Sequence, residues 1–138
     1  FPGAALADAN LRYACKGELH KDFHASILDG VNYLIDNFGE AAARAVASGE
    51  CEYGIVICTT GIGISITANK VKGIRCALCA DTLSAEMTRR HNNANMLAMG
   101  AGIIGPNLAE RIVDTFLATE FEGGRHERRV NLITEMEK

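Results

Sequence analysis

From residue 53 onward, short apolar runs alternate with segments of helical period. YGIVIC (53–58), GIRCALCA (73–80) and NMLAMGA (95–101) are each followed by a stretch that reads as a helix. GIRCALCA is too continuously apolar for a half-exposed antiparallel strand, so both of its faces are expected to be covered. Consecutive βα units follow from that alternation: a mostly parallel sheet of about five strands between helix layers, a Rossmann-like three-layer α/β sandwich. Thr82 or Ser84 is the expected cap of the helix through SAEMTRRH. Gly105-Pro106-Asn107 opens a helix to about Leu117, with Leu108, Ile112, Val113 and Phe116 on one face. The 138 residues suffice for one domain with one sizeable core, and no linker or repeat divides them.

The two ends read less plainly. Leu19, Phe23, Ile27, Val31 and Leu34 recur at helical spacing, FGEAAARAVASGE continues as an alanine-rich helix ending near Gly49, and AALA (4–7) is a poor early strand. After a Gly-Gly break, a tail helix over about 125–137 carries only a narrow stripe of Val130, Ile133 and Met136. A helix so striped is expected to pack on a second subunit, giving a homodimer or a tetramer built from it.

The formal net charge is −3, with no basic excess of the kind that binds nucleic acid. No apolar run approaches the roughly 18 residues of a membrane span, and FPGAALADAN lacks the charged start and apolar run of an export signal. Neither nucleic acid nor membrane is an expected partner, and the expected location is cytoplasmic. Five cysteines, an odd number without a regular framework, point to a reducing compartment. Cys76 and Cys79 are three apart, so on a strand they face opposite ways and belong to the core rather than to a metal or a disulfide.

The stretch CTTGIGISITANK (58–70) is where chemistry is expected. A glycine-rich turn between strand and helix presents backbone N–H groups at the helix's positive end, which suits an anion. A dinucleotide fingerprint fails because Gly61 and Gly63 are followed by Ile66, and no Gly-Lys-Ser/Thr exists for a phosphate loop. Cys58 stands at the carboxyl end of a strand, where open parallel sheets place their ligands. A thiol there is either a small core residue or a nucleophile or proton-transfer base with amides nearby to stabilise an oxyanion. RRHNNAN (89–95) sets His91 among three asparagines at the next strand's entrance. In GGRHERR (123–129), Arg125 and Arg129 lie four apart, so their guanidiniums share a helical face that either meets a phosphate or carboxylate or is simply solvated.

GIVICTTGIGISITANKVKGIRCALC, RRHNNANMLAMGAGIIG and EFEGGRHERRV together resemble the family of ribose-5-phosphate isomerase B and the galactose-6-phosphate isomerase subunits, over residues 39 to 138. The resemblance implies a metal- and cofactor-free aldose-ketose isomerase of a sugar phosphate, ribose 5-phosphate being the expected one, and a dimer whose subunits share sites. It implies Cys58 as the residue moving a proton between C1 and C2 through an enediolate, and the loop from Thr60 through Gly61 and Gly63 to Ser65 as the oxyanion's support. By the same resemblance His91 opens the sugar ring, Asn92 contacts hydroxyls, and Arg125 and Arg129 bind phosphate. The sequence departs from that pattern at three places. Residues 1–38 match poorly, with substrate residue Asp8 present but Ala9 where a histidine is usual. Thr59 stands for a usual glycine, and Gly102 stands where many members carry a phosphate-binding arginine. Those departures leave a non-catalytic sugar-phosphate binder, or one subunit of a hetero-oligomer, as alternatives.

Overall fold

The computed structural model describes residues 4–7 and 34–138. Asp8 and the helical positions from Leu19 to Val31 lie outside the described residues. In chain order the elements are β1 (Ala4–Ala7), α1 (Leu34–Ala47), β2 (Tyr53–Cys58), α2 (Ile62–Ala68), β3 (Cys76–Leu78), α3 (Thr82–Asn92), β4 (Met96–Gly100), α4 (Pro106–Ala118) and α5 (Arg125–Glu135). Among the described residues the sheet has four strands rather than the expected five or so, in the order β1-β2-β4-β3. All three pairings are parallel. AALA, a poor strand by composition, pairs in register with β2 from Ala4↔Tyr53 to Ala7↔Val56; backbone pairing at a sheet edge asks little of its side chains.

Strand alternation builds the two cores. Val56, Cys58, Met96 and Ala98 face the layer of α1 and α2, where they meet Ala42, Ala43, Val46, Ile64 and Ala68. Ile55, Ile57, Leu97 and Met99 face the other way, onto Ala85 of α3 and Ala109, Ile112, Val113 and Phe116 of α4. Side chains two apart share a face, so one six-residue apolar run feeds both layers. Cys76 packs with the first core and Cys79 sits in the second, as their spacing requires. The long second run pairs with β4 over Cys76–Leu78 alone, and Asn69 closes its outer edge: its Nδ2 donates to the Cys76 carbonyl and its Oδ1 accepts from the Cys76 amide, both at 2.8 Å. A side-chain amide here satisfies backbone groups that a further strand would otherwise take.

Two local expectations are corrected. Leu108 is 38% exposed, and Ala109 takes the buried place on α4, since burial follows the helix face that meets β4. The cap of α3 is Asp81, whose carboxylate accepts from the Ser84 amide at 2.7 Å; a charged oxygen serves that end better than either hydroxyl. No helix among the described residues is long and apolar enough to cross a membrane.

Arg89 is the main polar tie between layers. It is 4% exposed, and its guanidinium donates to the carbonyls of Thr119 and Ala94, to Asn93 Oδ1 and to the Tyr53 hydroxyl. Its carbon lies 4.8 Å from the centre of the Tyr53 ring. Arg89→Ala strands those acceptors and is expected to lower stability by about 3 kcal/mol. A urea titration checks this through a fall in midpoint at unchanged slope.

Candidate active site

β2 and β4 are neighbours, yet the connections leaving their carboxyl ends go to opposite faces. α2 packs on the first core and α4 on the second, so a crevice opens between them, the position where open parallel sheets bind ligands. Cys58, the last residue of β2, is paired there with Gly100 of β4. It is 2% exposed, and its Sγ accepts the Gly61 amide at 3.1 Å. Gly61 adopts a left-handed φ of 77°, and a Cβ on it would lie 2.4 Å from Leu78 Cδ1 and 2.8 Å from the Met99 carbonyl carbon. Only glycine lets the turn lie this close to β4 and aim its amide at the sulfur.

The rest of the loop follows α2's first turn. Thr60 is exposed and its Oγ1 accepts from the Ile62 amide at 3.3 Å. Gly63 is half-buried with open space where a side chain would stand. Ser65 is buried and donates to the Ile62 carbonyl at 2.8 Å, so its hydroxyl is taken up by the helix. The two nearby departures from the family pattern fit one another. A Cβ at Gly102 would lie 3.0 Å from the Thr59 carbonyl oxygen and 3.1 Å from its Cγ2, while the Gly102 amide donates to that oxygen at 2.8 Å. The side chain gained at 59 takes room that one at 102 would need.

His91, Asn92, Arg125 and Arg129 gather elsewhere. His91 and Asn92 end α3, which leads into the amino end of β4 at Met96. The four residue steps from Met96 to Gly100 span about 13 Å of strand, so this group sits at the opposite edge of the sheet from Cys58. The Glu122 amide donates to the Arg90 carbonyl at 3.1 Å, which ties the start of α5, and with it the exposed Arg125 and Arg129, to the same edge. The asparagines differ in duty. Asn93 caps α3 in the left-handed conformation. Asn95 accepts from the Arg75 amide and donates to the Gly73 carbonyl, both at 2.8 Å. Asn92 alone leaves its side chain outward, on a cavity of about 420 Å³ shared with Arg75, Cys76 and Thr88. Burial pushes the Cys76 thiol up to about 12 and that of Cys79 to about 11, which leaves both as core thiols at neutral pH.

Sequence reading missed Glu122 and His126. The signal for His126 was present: it precedes Val130 by one helical turn and so extends the stripe of α5, where both are buried. The stripe's far end, Ile133 and Met136, remains 42% and 85% exposed. His91, Glu122 and His126 bring three potential ligand atoms within 4.8 Å of one another. The imidazoles lie parallel, 8° between planes, so their lone pairs run side by side and a metal ion would leave at least one ring plane. Burial, helped by His91 and Arg125, holds the His126 pKa below its usual value, with Glu122 opposing. An unfolded chain therefore takes up this proton first, near pH 6.5. Stability is expected to fall as pH drops from about 7 to 5, because the unfolded state then binds more protons. Thermal midpoints across that range should fall less for His126→Phe than for the parent chain.

Residues 11–133 match the family model described as Ribose/Galactose Isomerase. A Bacillus subtilis protein named as the sugar phosphate isomerase YwlF is 58% identical over 96 residues, 70% of this chain and 64% of its own length. Ribose-5-phosphate isomerase B of Escherichia coli is 48% identical over 102 residues, 74% of this chain and 68% of that protein. The chain thus spans about two thirds of the length of these relatives. The structure of ribose-5-phosphate isomerase B from Clostridium thermocellum superposes with a TM-score of 0.75 at 54% identity, covering 79% of this chain and 72% of that one.

Proposed function

We propose, because this chain belongs to the ribose/galactose isomerase family, that it interconverts the aldose and ketose forms of a phosphorylated sugar, ribose 5-phosphate and ribulose 5-phosphate being the pair. The observation that carries the reading is Cys58: a thiol at the switch-point crevice whose sulfur meets the Gly61 amide at 3.1 Å. An anionic sulfur accepts such a hydrogen bond better than a neutral one.

In the proposed sequence the furanose opens first. The C1–O4 bond breaks, O1 loses its proton as C1=O forms, and O4 gains one, with His91 moving the proton. Cys58 then takes the proton from C2, and the electron pair moves through C1 to leave an enediolate with charge on O1. In this reading the Thr60 hydroxyl and the amides of the turn around Gly61 and Gly63 stabilise that charge. Return of the proton to C1, with the O2 proton passing to O1, gives the ketose. Asn92 meets hydroxyls, and Arg125 and Arg129 hold the phosphate as charge-assisted donors. Neither a metal nor an organic cofactor enters these steps.

The two groups of residues occupy opposite edges of one chain, so a site using both needs a second copy. A two-fold dimer that sets the carboxyl edge of one protomer against the amino edge of its partner makes two such sites. The exposed Ile62, Leu78 and Ile103 near the first edge, and Leu132, Ile133 and Met136 on and just after α5, are apolar surface available to it.

The test is interconversion of ribose 5-phosphate and ribulose 5-phosphate by the purified chain in the presence of chelator. Galactose 6-phosphate serves as the competing substrate. Ligand-induced thermal stabilisation without turnover of either sugar would replace the reading with that of a binding protein.

A further inference from the structure

His126 occupies a position that packing alone would give to valine or leucine. It is 4% exposed, and its Nδ1 is buried with no hydrogen-bond partner among the described residues, a cost that an apolar residue would not incur. Nε2 accepts from Arg125 Nε at 3.3 Å. That leaves the ring's one proton on Nδ1 and the ring neutral.

What the ring touches is His91. The two imidazoles stack with 4.1 Å between centroids and 8° between planes. Beside the stack, Glu122 Oε2 lies 3.8 Å from His91 Nε2 and 3.5 Å from His126 Nε2. The carboxylate is itself held in place. Arg90 donates to its other oxygen, and Arg90 is held in turn by Glu86. At the end of α3 and 37% exposed, the His91 side chain would otherwise sample several rotamers. Here one flat face is covered and Nε2 lies beside a held carboxylate, so Nδ1 is the nitrogen not engaged by either neighbour.

We infer that His126 and Glu122 are positioning residues for His91: the buried ring is the platform on which the His91 imidazole lies, and the carboxylate selects which nitrogen meets the sugar. This rests on the ring-opening role of His91 proposed above. Neither residue needs to touch the substrate.

Two substrates separate ring opening from isomerisation. Ribose 5-phosphate is largely a closed furanose and has to be opened. Erythrose 4-phosphate, an aldose one carbon shorter, carries its phosphate on the one oxygen able to close a five-membered ring, so it arrives open. His126→Ala is expected to lower kcat/KM for ribose 5-phosphate about 10- to 100-fold, and that for erythrose 4-phosphate by less than about twofold. His126→Phe, which restores a flat ring, should recover most of the loss, and Glu122→Gln should show the same split between substrates. A variant damaged only in structure would lose both reactions alike, and that result, or unchanged kinetics on ribose 5-phosphate, overturns the inference. Full activity of His91→Ala on ribose 5-phosphate removes the ring-opening reading itself, and the inference with it. A second readout does not depend on turnover. Loss of the stacked ring should shift the His91 Cε1 proton in NMR spectra of His126→Ala, and an unmoved resonance sinks the platform.

Discussion

Replacing Cys58 with alanine is expected to lower turnover of ribose 5-phosphate roughly a hundred- to ten-thousand-fold, the range of a positioned acid-base group. The substitution is mild for the fold. Cys58 is 2% exposed within the core that joins β2 to α1 and α2, and losing one sulfur atom leaves a cavity costing about 1 kcal/mol. Arg125 and Arg129, the proposed phosphate contacts, are untouched at the other edge of the sheet. Ribose 5-phosphate should therefore still raise the thermal midpoint of Cys58→Ala, which separates lost chemistry from lost binding. Cys58→Ser, nearly the same size, should be almost as inactive, because a hydroxyl seldom ionises at neutral pH. A Cys58→Ala protein turning over at the parent rate would sink the proposed mechanism and return Cys58 to a packing role.

Mixing two inactive variants is expected to restore activity. One is Cys58→Ala; the other carries Arg125→Ala with Arg129→Ala, which takes away the proposed phosphate contacts. Each homodimer has two defective sites. In the proposed dimer, where each site takes its thiol from one chain and its arginines from the partner, a heterodimer concentrates both lesions in one site and leaves the other intact. With random reassortment half the dimers are mixed, so about a quarter of parental activity should return. Subunits are best exchanged by refolding the two proteins together, with each refolded alone as the baseline. Recovery no greater than the parents' sum would mean that a single chain completes its own site.

These expectations differ in how far the sequence supported them. YGIVIC, read from its bounded apolar run, is β2 from Tyr53 to Cys58, and NMLAMGA contains β4 over Met96–Gly100. Period and punctuation are local properties, so they survive into the fold almost unchanged. GIRCALCA forms strand over only three residues, the stretch that pairs with β4, and its outer edge is closed by Asn69, seven residues before Cys76. Arg89 was invisible as a buried group, and the stripe that includes His126 does not show what covers it, because polar side chains are buried only where neighbours distant in the chain satisfy or stack on them. For Arg89 those neighbours are Tyr53 and Thr119; for His126, the ring of His91.

By itself, the sequence determined that strands and helices alternate, that the strands run parallel, and that a thiol ends β2 beside a glycine turn. Each of these follows from spacing within a dozen residues. The tertiary structure alone decided that β4 lies beside β2, which opens the crevice over Cys58, and that the arginines of α5 join His91 at the sheet's other edge. Strand order sets which ends of which elements meet, and strand order arises from burying both faces of the sheet at once, a balance that no single segment carries.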